Sequence, residues 1–183
     1  METTAYYLVV DLEATCDDQG AVPRDASEII EIGAVKVDAL TLLPVAEWQT
    51  FVRPVLHPRL TRFCTTLTSI TQAQVDAAPR FLEVVKDLGR FAAGSLFCSW
   101  GNYDKNQLAR DAERNGIKSP LGPRHWNLKE AFSAATGIPR RLGTGQALQR
   151  AGLAFAGTPH RGIDDAGNIA RLLPIITGKV VLS

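Results

Sequence analysis

This sequence has no long apolar stretch. Its first hydrophobic run, Ala5 to Val10, covers six residues, where a membrane-crossing helix needs about 20. Glu2 stands where a secretory leader would carry positive charge, so no signal peptide is read and a soluble, cytoplasmic protein with no membrane partner is expected. Cysteine is scarce and odd in number: Cys16, Cys64 and Cys98 make three, with no C-x-x-C spacing. That excludes a closed disulfide framework and a cysteine-based zinc site, and it fits a reduced, intracellular setting. Net charge is nearly missing too. At +1 over 183 residues the chain as a whole is no electrostatically driven polyanion binder; a polyanion must be held by a local basic patch or through bound metal. No repeat, low-complexity segment or dividing linker interrupts the sequence, and 45% hydrophobic content suits one core. Residues 1–183 are expected to form a single domain.

What is present is organised around Val9-Val10-Asp11-Leu12-Glu13-Ala14-Thr15. It continues the apolar run and reads as a buried strand that ends in acid. Glu28 to Val37 is β-branched and predicts a second strand, and Trp48 to Arg53 a third, stopped by Pro54. Short linkers favour an antiparallel meander of the three. Pro54 to Ile70 reads as irregular. Thr71 with Gln74 makes a capping box for a short helix, and Pro79 opens a longer one whose stripe Phe81, Val84, Val85, Leu88, Phe91 and Ala92 faces a core. A fourth strand, Leu96–Trp100, and a helix from Tyr103 to Asn115 follow, then a short fifth strand at His125–Asn127. Helices are expected at Leu128–Thr136, at Gln146–Ala151 and from Asp164 to Ile176. The pattern is α/β, with a mixed five-stranded sheet flanked by helices.

Asp11 and Glu13 are two apart on a strand and share a face. Asp104 opens a helix just past the fourth strand, and Asp165 opens the last helix, with His160 in the loop before it. Each lies at the end of an element, where a scaffold can aim side chains into a shared cleft. Four carboxylates converging without cations would repel strongly, so convergence implies bound Mg²⁺ or Mn²⁺, the ions suited to all-oxygen ligands. The plainer account of the first pair is a strand end with solvated acids. Glu28 and Glu31 are read either as further ligands or as acids on a partly exposed strand face.

Asp11-Leu12-Glu13, then Asp104 with Leu108, then His160-Arg161-Gly162-Ile163-Asp164-Asp165 resembles the DEDDh family of 3′→5′ exonucleases, which share an RNase H-like fold. Leu12-Glu13-Ala14-Thr15-Cys16, the Cys64-to-Thr71 stretch, Ser99-Trp100 and the histidine motif are similar to its Eri-type, KapD-like exoribonuclease branch. The likeness runs from Tyr7 to Leu173. It implies a metal-dependent enzyme that hydrolyses single-stranded RNA, with DNA as the alternative, from the 3′ end to nucleoside 5′-monophosphates. Two divalent ions are implied, Mg²⁺ or Mn²⁺. Asp11 would bridge them, Glu13 and Asp165 would hold the one carrying the attacking water, Asp104 would support the second, and His160 would be the general base. Asp165 is preferred to Asp164 as the ligand by its spacing of five from His160; Asp164 is read as the helix N-cap.

The resemblance also places Ala14, Thr15, Leu67 and Ile70 against the last nucleotides. Leu67 and Ile70 read equally well as core. Trp100 either stacks on a base or is buried beside its strand, and Cys16 is either oxidation-sensitive or simply buried. His57 and His125 read as structural. Lys129, Arg59, Arg62, Arg140, Arg141 and Arg161 are the candidates for a phosphate-tracking patch. Two other readings compete: a catalytically silent nucleic-acid-binding module on the same fold, and a proofreading subunit acting on DNA. The first predicts loss of a ligand or of the histidine, and all five are present. The second predicts a partner-binding tail, and only a short run follows Leu173; no obligate protein partner is expected.

Overall fold

The acidic strand lies at the middle of the sheet. In the computed structural model, which describes residues 4–181 and so leaves Glu2 outside, β1 (Tyr6–Ala14) pairs antiparallel with β2 (Ile29–Asp38) and parallel with β4 (Ser95–Ser99). β3 (Pro44–Phe51) pairs antiparallel with β2, and β5 (His125–Asn127) parallel with β4, giving the order β3-β2-β1-β4-β5. This is the expected mixed five-stranded sheet with its antiparallel meander. The β2–β3 turn sits at the end of the sheet where Tyr6 pairs with Asp38. There the Asp38 carboxylate accepts from the Leu40 and Thr41 amides. The opposite end, where Glu13 pairs with Glu31, is the acidic one.

Strand parity divides β1 between two cores. Leu8, Val10 and Leu12 pack with Phe81, Val84, Val85 and Leu88 of α3 (Phe81–Phe91) and Leu108 and Ala112 of α4 (Tyr103–Arg114). Val9 faces the other way. It packs against α5 (Leu128–Thr136), α6 (Thr144–Arg150), α7 (Gly162–Ala170) and α8 (Leu173–Ile176). Asp11 and Glu13 follow Val9 in phase, so the face that is core at depth becomes acidic at the strand end, on the side that carries α7.

Three local expectations are corrected. The stretch read as irregular holds a helix, α1 (Arg62–Thr68), because Thr61 accepts from the Cys64 amide and caps it; Ser69 in the left-handed region ends it. The short helix with the Thr71–Gln74 capping box is α2 (Gln72–Ala77). The final helix is broken into α7 and α8, with Pro174 in the first turn of the second piece, where its missing N–H costs nothing. Asp164 is not its N-cap: Arg161 holds that position, and the Asp164 carboxylate instead accepts from the Thr158 amide at 2.9 Å. No helix among the described residues is long and apolar enough to cross a membrane.

Candidate active site

Two facing glycines let α7 reach the strands. Gly33 stands opposite Asp11 in the β1–β2 ladder, and a Cβ there would lie 2.0 Å from the Gly162 carbonyl carbon. A Cβ on Gly162 would in turn meet the Asp11 carbonyl oxygen at 2.9 Å. With neither side chain present, the first turn of α7 rests on backbone, and Asp165 arrives beside Asp11 and Glu13. One carboxylate oxygen from each of these three lies within 4.8 Å of the others. Asp164, the neighbour, is outside this group.

Asp104 comes from the start of α4 and is 4% exposed; its Oδ1 accepts from the Leu12 amide at 3.1 Å, which ties it to the same strand end. His160 is exposed, with φ of +60°, and its amide donates to Asp165 Oδ2 at 2.7 Å. Asp164 and Asp165 thus each hold one amide of the loop that carries the histidine. These five residues line one cleft of about 320 Å³, with Leu12, Ala14, Cys16, Leu67, Trp100, Tyr103 and Thr144 as its other walls. A larger groove of about 830 Å³, running past Arg53, Arg80 and Asn115, contains none of the five.

Crowding leaves its mark on the acids. Burial first, then Asp104, Asp165 and Glu13, pushes the Asp11 carboxyl well above the usual range. Burial and Asp165 push Glu13 to about 8, burial raises Asp104 to about 7, and Asp165 is raised as well. Carboxylates that hold protons near neutrality are short of positive charge, and a hard divalent cation supplies it through oxygen ligands. The donor set is all oxygen and fits such an ion.

The remaining candidates separate. Ala14, Leu67 and Trp100 reach the cleft; Trp100 also packs on Phe132 and donates from its indole to the Leu142 carbonyl at 3.0 Å. Thr15 and Ile70 do not. Thr15 is buried, and its hydroxyl accepts from the Glu28 amide, which fixes the turn after β1. Ile70 is core, packed with Ile30, Cys64 and Val75. Glu28 and Glu31 are neither ligands nor surface acids. Both are buried: Glu28 collects the amides of Val55, Leu56 and His57, and Glu31 takes Arg161 and the Gly162 amide. Arg161 is thereby removed from the phosphate-tracking set, and Arg141 pairs with Glu130. His125 bonds Ser99. Tyr103, half exposed on the cleft wall, escaped the sequence reading; its place directly before Asp104 was the available signal.

A family model for exonucleases, RNase_T, matches residues 8–173. The chain belongs to this exonuclease family. Among its relatives, "ERI1 exoribonuclease 3" of Homo sapiens is 35% identical over 179 residues, covering 92% of this chain and 52% of that protein. The "3'-5' exonuclease Snipper" of Drosophila melanogaster is 33% identical, covering 94% and 69%. The nuclease domain of 3'hExo, a DEDDh family member solved with bound rAMP, superposes with a TM-score of 0.89 at 29% identity, covering 97% of this chain and 94% of that one. The fold is therefore RNase H-like, as expected. The chain spans about half the length of the exoribonuclease relatives it matches. Divalent-metal dependence is a property of the family, and the carboxylate cluster of this chain is consistent with it.

Proposed function

We propose that this chain is a single-domain 3′→5′ exonuclease that shortens single-stranded RNA and releases nucleoside 5′-monophosphates. The observation that carries the reading is the cluster of Asp11, Glu13 and Asp165 within 4.8 Å at a cleft that also receives Asp104 and His160. Asp11, Glu13, Asp104 and Asp165 would hold two Mg²⁺ or Mn²⁺ ions, which supply stabilisation of the attacking and leaving oxygens of an in-line displacement.

The chain's own side chains account for the rest. His160 is exposed at the cleft and accepts the proton of the attacking water at a ring nitrogen, a role worth typically about 10²–10⁴-fold. Its backbone is held by Asp165, so the base and the metal-binding carboxylate are oriented as one unit. Leu67, Trp100 and Tyr103 give the terminal base apolar surface, and Ala14 lets the sugar approach the backbone of β1. A cleft of about 320 Å³ suits a terminal nucleotide of a single strand rather than a duplex. Arg59, Arg62, Arg140 and Lys129 remain for the upstream phosphates, few enough that binding is modest and salt-sensitive. RNA is preferred to DNA as substrate because one relative above is named an exoribonuclease and the superposed nuclease domain was solved with rAMP.

The test is a pair of 5′-labelled RNA and DNA oligonucleotides of one sequence, incubated with Mg²⁺, Mn²⁺ or EDTA. A ladder retreating from the 3′ end on RNA, absent with EDTA and with Asp11→Ala, is expected. Equal ladders on both strands would make it a general 3′-trimming enzyme, and binding without cleavage in either metal would refute catalysis.

A further inference from the structure

One wall of the cleft holds a feature that the proposed reaction does not use. Cys16 is half-buried and lines the cleft, and it packs against the core cluster that holds Cys64, fully buried on α1. The Cys64 thiol donates to the Ala14 carbonyl at 3.7 Å, two residues before Cys16. A single hydroxyl clamps both backbones: Thr61 Oγ1 donates to the Cys16 carbonyl at 2.7 Å and accepts from the Cys64 amide at 3.0 Å. The third cysteine, Cys98, is buried on β4 in a different apolar cluster.

We propose that Cys16 and Cys64 are an oxidisable thiol pair, which a hydroperoxide converts to a disulfide that slows the nuclease. Cys16 is the half that opens to the cleft, so it meets the oxidant. Its sulfur attacks the peroxide; an S–O bond forms, the O–O bond breaks, and water leaves, or an alcohol from an organic hydroperoxide. The Cys64 sulfur then attacks the sulfenic sulfur, the S–S bond forms, the S–O bond breaks, and the second water leaves with the Cys64 proton. Two thiols give up two electrons and the peroxide takes them.

The effect on the cleft follows from bond length. A disulfide holds its sulfurs at about 2.05 Å, closer than any non-bonded approach, so forming it draws α1 toward the end of β1. Leu67 lies on α1 less than one turn past Cys64 and forms cleft wall. Displacing such a wall by about 1 Å can cost on the order of 10²-fold in rate. The rate effect rests on the exonuclease reading; the linkage itself does not.

The experiment treats the full chain with hydrogen peroxide, alkylates the remaining thiols after unfolding, and maps the peptides, with oligonucleotide cleavage followed in parallel. Free thiols should fall from three to one, Cys98, with a Cys16–Cys64 linked peptide. Cleavage should slow at least about tenfold and recover with dithiothreitol. Cys64→Ala and Cys16→Ala, each compared with its own untreated rate, should lose the reversible inhibition. A map showing Cys16 oxidised alone, a linked protein that cleaves at full speed, or a Cys64→Ala protein inhibited reversibly like the parent would each overturn the proposal. Should the reduced protein cleave nothing, the exonuclease reading fails, while the peptide map still decides the linkage.

Discussion

Glu13 and Glu31 stand opposite each other across the β1–β2 ladder, and Arg161 reaches only Glu31. Its guanidinium places two nitrogens at 3.1 Å from the Glu31 oxygens, with the Gly162 amide and the Gln49 side chain completing the set. No Lys or Arg among the described residues pairs with Glu13. One buried carboxylate is thus neutralised to hold α7 in place, and its cross-strand partner is left short of charge at the cleft.

Glu31→Gln should therefore act on folding before it acts on chemistry. It leaves Arg161, largely buried, without its counter-charge, and breaking one side of such a pair costs about 3–5 kcal/mol. Urea unfolding is the measurement. A midpoint unchanged from the parent would show that α7 is held by packing alone.

The acids give a pH dependence whose sign can be worked out. Folding raises Glu13 from 4.5 to about 8, so the folded state binds its proton more tightly than the unfolded one. The stability this contributes is complete below 4.5 and is lost as pH rises through about 8. In EDTA, Glu13→Gln should melt higher than the parent at pH 8 by at least about 2–4 °C, the shift for about 1 kcal/mol in a chain of this size. The difference should vanish near pH 4, and Mg²⁺ should raise the melting temperature of the parent more than that of the variant. A difference that grows on acidification would contradict the crowding of these carboxylates.

Gly33→Ala tests the close approach of α7. The new methyl would sit 2.0 Å from one backbone atom and 2.1 Å from another, neither the end of a flexible side chain. Overpacking typically costs about 1–3 kcal/mol, and a collision with the backbone of α7 should reach or exceed the upper figure. Circular dichroism with heating would register it, together with loss of cleavage, since Asp165 moves with α7. A variant as stable and active as the parent would mean that α7 does not rest on β2.

Tyr103→Ala should leave kcat nearly intact and raise KM. Stacking on one base is worth about 1–3 kcal/mol, so an increase of roughly 5–150-fold is expected in steady-state cleavage of a short RNA. The same substitution lowering kcat with KM unchanged would assign Tyr103 to positioning Asp104 instead.

Much of this was legible in the sequence because it is local or periodic. The stripe of α3, the capping box of α2 and the bounds of β5 and α5 follow from spacing and from residues that act on their own neighbours. The acids at strand and helix ends pointed to one cleft by the same logic. What escaped depends on partners far away in the chain. Nothing near Glu31 announces that Arg161, 130 residues on, will bury it. Gly33 looks like any strand glycine until Gly162 is opposite. Thr15 and Ile70 carry the right residue types, yet Thr15 holds the Glu28 amide and Ile70 packs with Cys64 of α1, a helix hidden in a proline-bounded stretch.

The register of β1 and β2 also says where this molecule can be held. Asp38 pairs with Tyr6, seven residues before Glu13, so the β2–β3 turn lies roughly 23 Å from the acids at about 3.3 Å per residue. Leu40 at its tip is 80% exposed. A tag, a dye or a whole fused protein inserted between Leu40 and Thr41 would leave the acidic end clear. Anchored to a bead by that turn, the molecule would present its mouth outward to any strand end that diffuses in.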